Sequence, residues 1–165
     1  MDELNVKLRT SALVNEVGER IMRWQEAAQR FDEAVGRRWK LAASERLCLS
    51  FLARGPQSAS AIAHATQLTP AAVTALVDRL EARGFVSRGP DPADRRRVLV
   101  GLAKAAEDLI RTAYTPLQQA GNTMLSGLSE DDLKTFSRLL GQSIDIQEDM
   151  RKRLEALPAP DSGKP

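Results

Sequence analysis

One cysteine and one histidine are all that the 165 residues contain. A single thiol cannot close an internal disulfide, and with one imidazole it cannot furnish a zinc site. No apolar run exceeds three residues (Phe51-Leu52-Ala53 is one such run), so no segment reads as a transmembrane helix. The start, Met1-Asp2-Glu3, is not a basic region followed by a greasy stretch, and no secretory signal is expected. A glycine-rich phosphate loop is missing, no nucleophile stands beside a base in a motif, and the carboxylates are scattered along solvated faces. Catalysis is therefore not expected, and no cofactor or metal is implied. These absences leave a soluble, cytoplasmic protein as the expectation.

What is present is charge, unevenly placed. The net charge is only +2. Residues 37–100, however, hold eleven Lys/Arg (37, 38, 40, 46, 54, 79, 83, 88, 95, 96, 97) against five acids (45, 78, 81, 91, 94). The flanks hold thirteen basic and seventeen acidic residues. A basic middle between acidic ends suits a polyanion-binding module on a separate scaffold. A solvated basic face without a partner would show the same charge.

Periodicity divides the chain. Leu13, Val17, Ile21, Trp24, Ala28, Phe31 and Val35 recur at steps of three and four, the stripe of one long amphipathic helix. A second helix is expected from Ser44 as cap, burying Leu47, Cys48, Phe51 and Leu52 and stopping at Gly55-Pro56. A short helix over Ser60–Thr66 follows, and Gln67-Leu68 turn the chain. Thr69-Pro70 then open a helix that buries Val73, Leu76, Val77 and Leu80 and ends at Arg83-Gly84. The period changes at Phe85–Arg88 and Val98–Leu102, which read as two strands of a hairpin around a tip rich in turn formers and arginine. From residue 103 the helical period returns through Ala106, Leu109, Ile110, Ala113, Leu117 and Met124, with Pro116 expected to kink it. A last helix starts at Ser129, with Asp132 placed for a capping box, and carries Leu133, Phe136, Leu139, Leu140, Ile144, Met150 and Leu154. Residues 158–165 read as a disordered tail.

The fold class is thus mainly α with a small β-hairpin: a winged helix-turn-helix over 44–102, flanked by dimerisation helices over 1–43 and 103–157. The terminal stripes are longer than the compact part can cover, and a second copy of the chain is the simplest partner. The core face of the Thr69-Pro70 helix leaves Pro70, Ala71, Ala72, Thr74, Ala75, Asp78 and Arg79 facing outward. Small residues there would let the backbone approach a major groove, Thr74 could hydrogen-bond or set its methyl against thymine, and Arg79 could reach phosphate or guanine. An ordinary solvent face of an alanine-rich helix has the same pattern. Arg95, Arg96 and Arg97 are harder to explain without an anion, because adjacent guanidinium groups repel one another and suit phosphate or a narrow minor groove. Asp94 is placed to hold the Arg96 guanidinium.

Two stretches resemble the MarR family of dimeric winged helix-turn-helix transcriptional regulators. Asp91-Pro92-Ala93-Asp94-Arg95-Arg96-Arg97 running into Val98–Leu102 is similar to the family's wing motif, and Thr69–Val86 is similar to its recognition helix and the approach to the wing. The resemblance implies a homodimer on a pseudo-palindromic double-stranded operator. By it, Arg96 is the minor-groove arginine and Asp94 the acid that orients it. Thr69, Ala71, Ala72, Thr74, Ala75 and Arg79 fall at DNA-facing positions, beside Arg95 and Arg97. The chain departs from the family at Ala75, often larger and polar, and at Leu102-Ala103 and Ala106, where Leu-Thr and a glycine are usual. The lost Thr cap should cost about 1 kcal/mol.

The resemblance also implies a crevice for a small aromatic or phenolic effector, in stretches holding Arg23, Trp24, Trp39 and Arg46; the two tryptophans read equally as dimer or domain core. Cys48 falls on a buried stripe, where a thiol is inert, and His64 on an outer surface. The expected function is a DNA-binding repressor released by such a ligand. The alternative is a winged-helix dimerisation or protein-interaction module without specific DNA binding.

Overall fold

A computed structural model describes residues 3–158, with side chains from residue 10 onward. Residues 159–165 of the expected tail lie outside the described residues. The elements run α1 (Glu3–Trp39), α2 (Ala43–Leu52), β1 (Gln57–Ser58), α3 (Ala59–Thr66), α4 (Pro70–Ala82), β2 (Val86–Pro90), β3 (Val98–Leu102), α5 (Lys104–Leu109), a π-helical turn (Ile110–Tyr114), α6 (Thr115–Leu125) and α7 (Glu130–Glu155). They group into two compact units, one up to Thr115 and one from Pro116.

In the first unit the core forms where α2, α3, α4, the sheet, α5 and the end of α1 meet. Cys48, Leu52, Ile62, Val73, Leu76, Val77, Leu80 and Val86 are its most enclosed side chains. Val35 and Leu41 join them, with Phe31 and Trp39 packed alongside, so the last two turns of α1 belong to this core. The expected inner face of α4 is buried residue for residue. Thr69 caps α4 by accepting from the Ala72 N–H at 3.3 Å, and Ser58 caps α3 by accepting from Ala61 N–H at 3.2 Å. Between them the chain turns at Gln67, whose backbone is left-handed at φ 56°.

Several expectations about this unit are corrected. Ser44 does not cap α2. The cap residue is Ala42, whose N–H donates to the Glu45 carboxylate at 2.9 Å. The helix therefore starts earlier and its buried stripe is Glu45, Cys48, Leu49 and Leu52, an i, i+3, i+4, i+7 set, while Leu47 is exposed and Phe51 only half-buried. The sheet has three strands in the order β1-β3-β2, all antiparallel, because Gln57 and Ser58 pair with Val100 and Leu99. Strand β2 extends through Pro90, which pairs with Val98, and Phe85 precedes it as a core residue. At the end of this unit the Thr115 N–H bonds the Ile110 carbonyl across the π turn.

The second unit consists of α6 and α7. Ser129 caps α7, accepting from the Asp132 N–H at 3.2 Å, while its hydroxyl donates to the Asp132 carboxylate at 2.6 Å. Neither helix buries a residue. Leu117, Met124, Phe136, Leu139, Leu140, Ile144, Ile146, Met150 and Leu154 are exposed, as are Leu13, Val17, Ile21 and Trp24 on α1 in the first unit.

Candidate nucleic-acid interface and neighbouring cavity

The outward residues of α4 follow from its inward ones. With Val73, Leu76, Val77 and Leu80 in the core, Ala71, Thr74 and Ala75 are exposed and Ala72 is half-buried. The Thr74 hydroxyl donates to the Pro70 carbonyl at 3.1 Å, which uses its proton and leaves its oxygen as an acceptor. Thr69 is occupied as the helix cap. Arg79, in the last turn, stays more than half exposed but points a nitrogen at the Glu45 carboxylate, 3.6 Å away.

Glu45 was not singled out by the sequence, and it joins three elements. Its side chain is almost wholly buried, yet it meets the Ala42 N–H, Arg79 and Arg83, the last at 3.6 Å. Arg83 in turn donates to the Trp39 carbonyl at 2.6 Å and lies over the Phe85 ring. A buried carboxylate is tolerated here because two guanidinium groups and a backbone N–H compensate its lost hydration. The network ties the end of α1 and the start of α2 to the end of α4.

The wing tip is shaped by its aspartates. Asp91 accepts from the Ala93 N–H at 2.9 Å and Asp94 from the Arg96 N–H at 3.0 Å, two side-chain turns in succession. Backbone bonds from Asp91 N–H to the Arg97 carbonyl and from Arg97 N–H to the Asp94 carbonyl close the tip. Asp94 thus orients Arg96 through the backbone, not by gripping its guanidinium as the spacing suggested. Arg97 has a loose contact with Asp91 at 4.0 Å, and Arg95 and Arg96 have no ion-pair partner among the described residues. Three exposed arginines therefore stand on a turn closed by the side chains of two acids.

Behind the wing, Arg88 on β2 donates to Asp78 at 2.6 Å and to Glu81, both on α4, and the Arg88 N–H donates to Glu81 at 3.1 Å. The bond to Asp78, aided by Glu81, holds its guanidinium above the ordinary arginine range.

A cavity of about 320 Å³ opens between α1, α2, α5 and the π turn. Val35, Leu49, Leu109 and Ile110 supply apolar wall, and Asp32, Arg46, Ser50 and Tyr114 supply polar groups. Arg46 donates to Asp32 at 2.7 Å and to the Leu41 carbonyl at 3.0 Å, lying over Gly36, where an added Cβ would collide with its Nη1. Tyr114 donates to the other Asp32 oxygen at 3.2 Å and meets Phe31 edge to face. Burial, reinforced by Asp32, pushes the Tyr114 hydroxyl above its usual range, so it remains a proton donor.

Of the four residues expected at an effector crevice, only Arg46 lines this cavity. Trp39 packs against the core, and Trp24 is exposed on α1. Arg23 lies with Glu16, Glu19 and Arg20 on a shallow part of the same helix. Asp32 and Tyr114 were missed, being 82 residues apart with no local pattern to join them. Cys48 is fully buried and His64 exposed, as their helix positions predicted.

A helix-turn-helix formed by α3 and α4, followed by a sheet with an arginine-tipped loop, defines a winged helix-turn-helix protein. Residues 40–97 match the MarR family model. Over 101 residues the chain is 36% identical to YcgE, an HTH-type transcriptional regulator of Bacillus subtilis, the match covering 61% of this chain and 66% of that one. It is 31% identical over 94 residues to NicR, an HTH-type transcriptional repressor of Pseudomonas putida, covering 57% and 60%. The match thus spans less than two thirds of either relative's length. A MarR-like transcriptional regulator from Thermotoga maritima shares the fold, with a TM-score of 0.55 and 24% identity over 90% of this chain and 98% of that one. The winged segment is thus similar to the MarR family of transcriptional regulators.

Proposed function

We propose that the protein is a homodimeric, sequence-specific regulator of transcription, a repressor released by a small aromatic or phenolic ligand. The observation that carries the reading is the wing tip. Two aspartates fix its backbone while Arg95, Arg96 and Arg97 stay exposed, an arrangement whose repulsion is relieved by phosphate or a minor groove. Alongside it, Thr69, Ala71, Ala72, Thr74, Ala75 and Arg79 of α4 would enter the major groove, with Thr74 reading a base edge. Residues 44–102 would form the DNA-binding part. The repressor assignment draws on the similarity to NicR, a transcriptional repressor.

The dimer reading is supported by the uncovered apolar faces. Phe136, Leu139, Leu140, Ile144 and Met150 leave α7 with no apolar burial in a single copy. These side chains are 38–62% exposed, and covering the remainder would contribute roughly 1 kcal/mol each, so residues 1–43 and 103–157 would serve as dimerisation helices. The cavity beside Arg46 is the proposed effector site, its apolar walls suited to an aromatic ring and Asp32 and Tyr114 to a phenol. A carboxylate would have to draw Arg46 from Asp32. Because α1 and α2 both wall the cavity, a ligand there would change their spacing and with it the separation of two recognition helices.

Arg96→Ala tests the reading. It should weaken operator binding on the order of tenfold, while light scattering reports an unchanged dimer mass. Unchanged affinity would remove the wing from the mechanism and favour the protein-interaction module.

A further inference from the structure

Asp78 and Glu81 are out of place on a helix offered to a polyanion. Asp78 stands on the outward side of α4 with 59% of its side chain exposed, and Glu81 follows one turn later. A carboxylate within a Debye length (about 8–10 Å) of phosphate is repelled by it. Both acids, however, are bound by one residue of the wing. The Arg88 fork donates to Asp78 at 2.6 Å and to Glu81, and the Arg88 backbone N–H returns to Glu81 at 3.1 Å.

An isolated surface ion pair would contribute little. This one differs in three respects. It joins two elements, it uses the planar fork on two carboxylates at once, and it occupies an edge-strand N–H that would otherwise face water. Its net effect is to leave this trio with one negative charge instead of two and to fasten strand β2 to the flank of α4.

We infer that Arg88 is a positioning residue for DNA binding: it masks Asp78 and Glu81 on the recognition helix, without itself contacting DNA. This rests on the reading of the protein as a DNA-binding regulator. The local sequence hides the arrangement, because Arg88 looks like one more member of the basic stretch.

The test is a set of full-length variants in fluorescence anisotropy, using DNA from upstream of the protein's own gene across a salt series. Arg88→Ala should bind roughly tenfold more weakly than the unaltered protein. Its deficit should shrink as salt rises, because salt screens the repulsion by the unmasked acids. Combining R88A with D78N and E81Q should restore affinity to within about threefold of the unaltered protein, because the acids no longer need a mask. If the triple variant stays as weak as R88A, the lost affinity does not come from unmasked acids and the inference falls. It also falls if R88A binds normally. Should R88A fail to give the native circular dichroism, R88Q takes its place with the same expectations. Failure of the unaltered protein to prefer its own fragment would instead defeat the underlying reading, which keeps the two failures distinct.

Discussion

Cys48 shows how environment decides chemistry at a single residue. Burial, with the Glu45 carboxylate adding to it, pushes the thiol up to about 11. The thiolate is the nucleophile, so at pH 8 an alkylating reagent should label the native protein far more slowly than the urea-unfolded chain; similar rates would contradict the burial. The sign for stability follows. An unfolded thiol ionises near 8.5, so the contribution from keeping Cys48 protonated is complete below that value and is lost as pH rises through about 11. Gly36 offers a second residue-scale test. Alanine gains about 1 kcal/mol over glycine in a helix, but here its Cβ would displace the Arg46 guanidinium from Asp32 and the Leu41 carbonyl. Gly36→Ala should therefore lower stability in urea unfolding by roughly 1–3 kcal/mol. A gain would show that Arg46 moves aside freely.

Among the elements, α5 carries a correctable defect. Its cap residue, Ala103, has an extended backbone and no side-chain bond to offer, as the departure from the family's Leu-Thr pattern predicted. Ala103→Thr should raise stability by about 1 kcal/mol, read as a later urea midpoint. The elements that the sequence made legible are those with local chemistry. Thr69-Pro70 marked the start of α4, Ser129 the start of α7, and a 3.6-residue period the inner face of α4. What escaped depended on partners distant in the chain. Strand β1 is two residues with no alternation, and it exists because β3 offers Leu99 and Val100 to pair with. Glu45 could displace Ser44 as the capping group only because Arg79 and Arg83 neutralise it inside the core. That choice shifted the face of α2 and left Leu47 outside. The site divides in the same way: the outward face of α4 and the wing arginines were readable from spacing, whereas Arg88's hold on α4 and the Asp32–Arg46–Tyr114 group were not.

At the scale of the molecule, a basic segment over 37–100 lies between flanks richer in acids, and the uncovered apolar side chains lie mostly on α1, α6 and α7. Charge and greasy side chains are thus segregated along the chain, as the proposed DNA and dimer contacts require. Deleting residues 129–165 should give a monomer or an insoluble product, as read by light scattering; a stable dimer would refute the part assigned to α7. None of the helices described is long and apolar enough to cross a membrane. The central claim, specific DNA binding, is tested most directly by fluorescence anisotropy with DNA from upstream of the protein's own gene against a shuffled fragment across a salt series. The account predicts preference for the native fragment by about a thousandfold or more, with affinity falling steeply as salt rises. Absence of binding to either fragment at every salt concentration would contradict it.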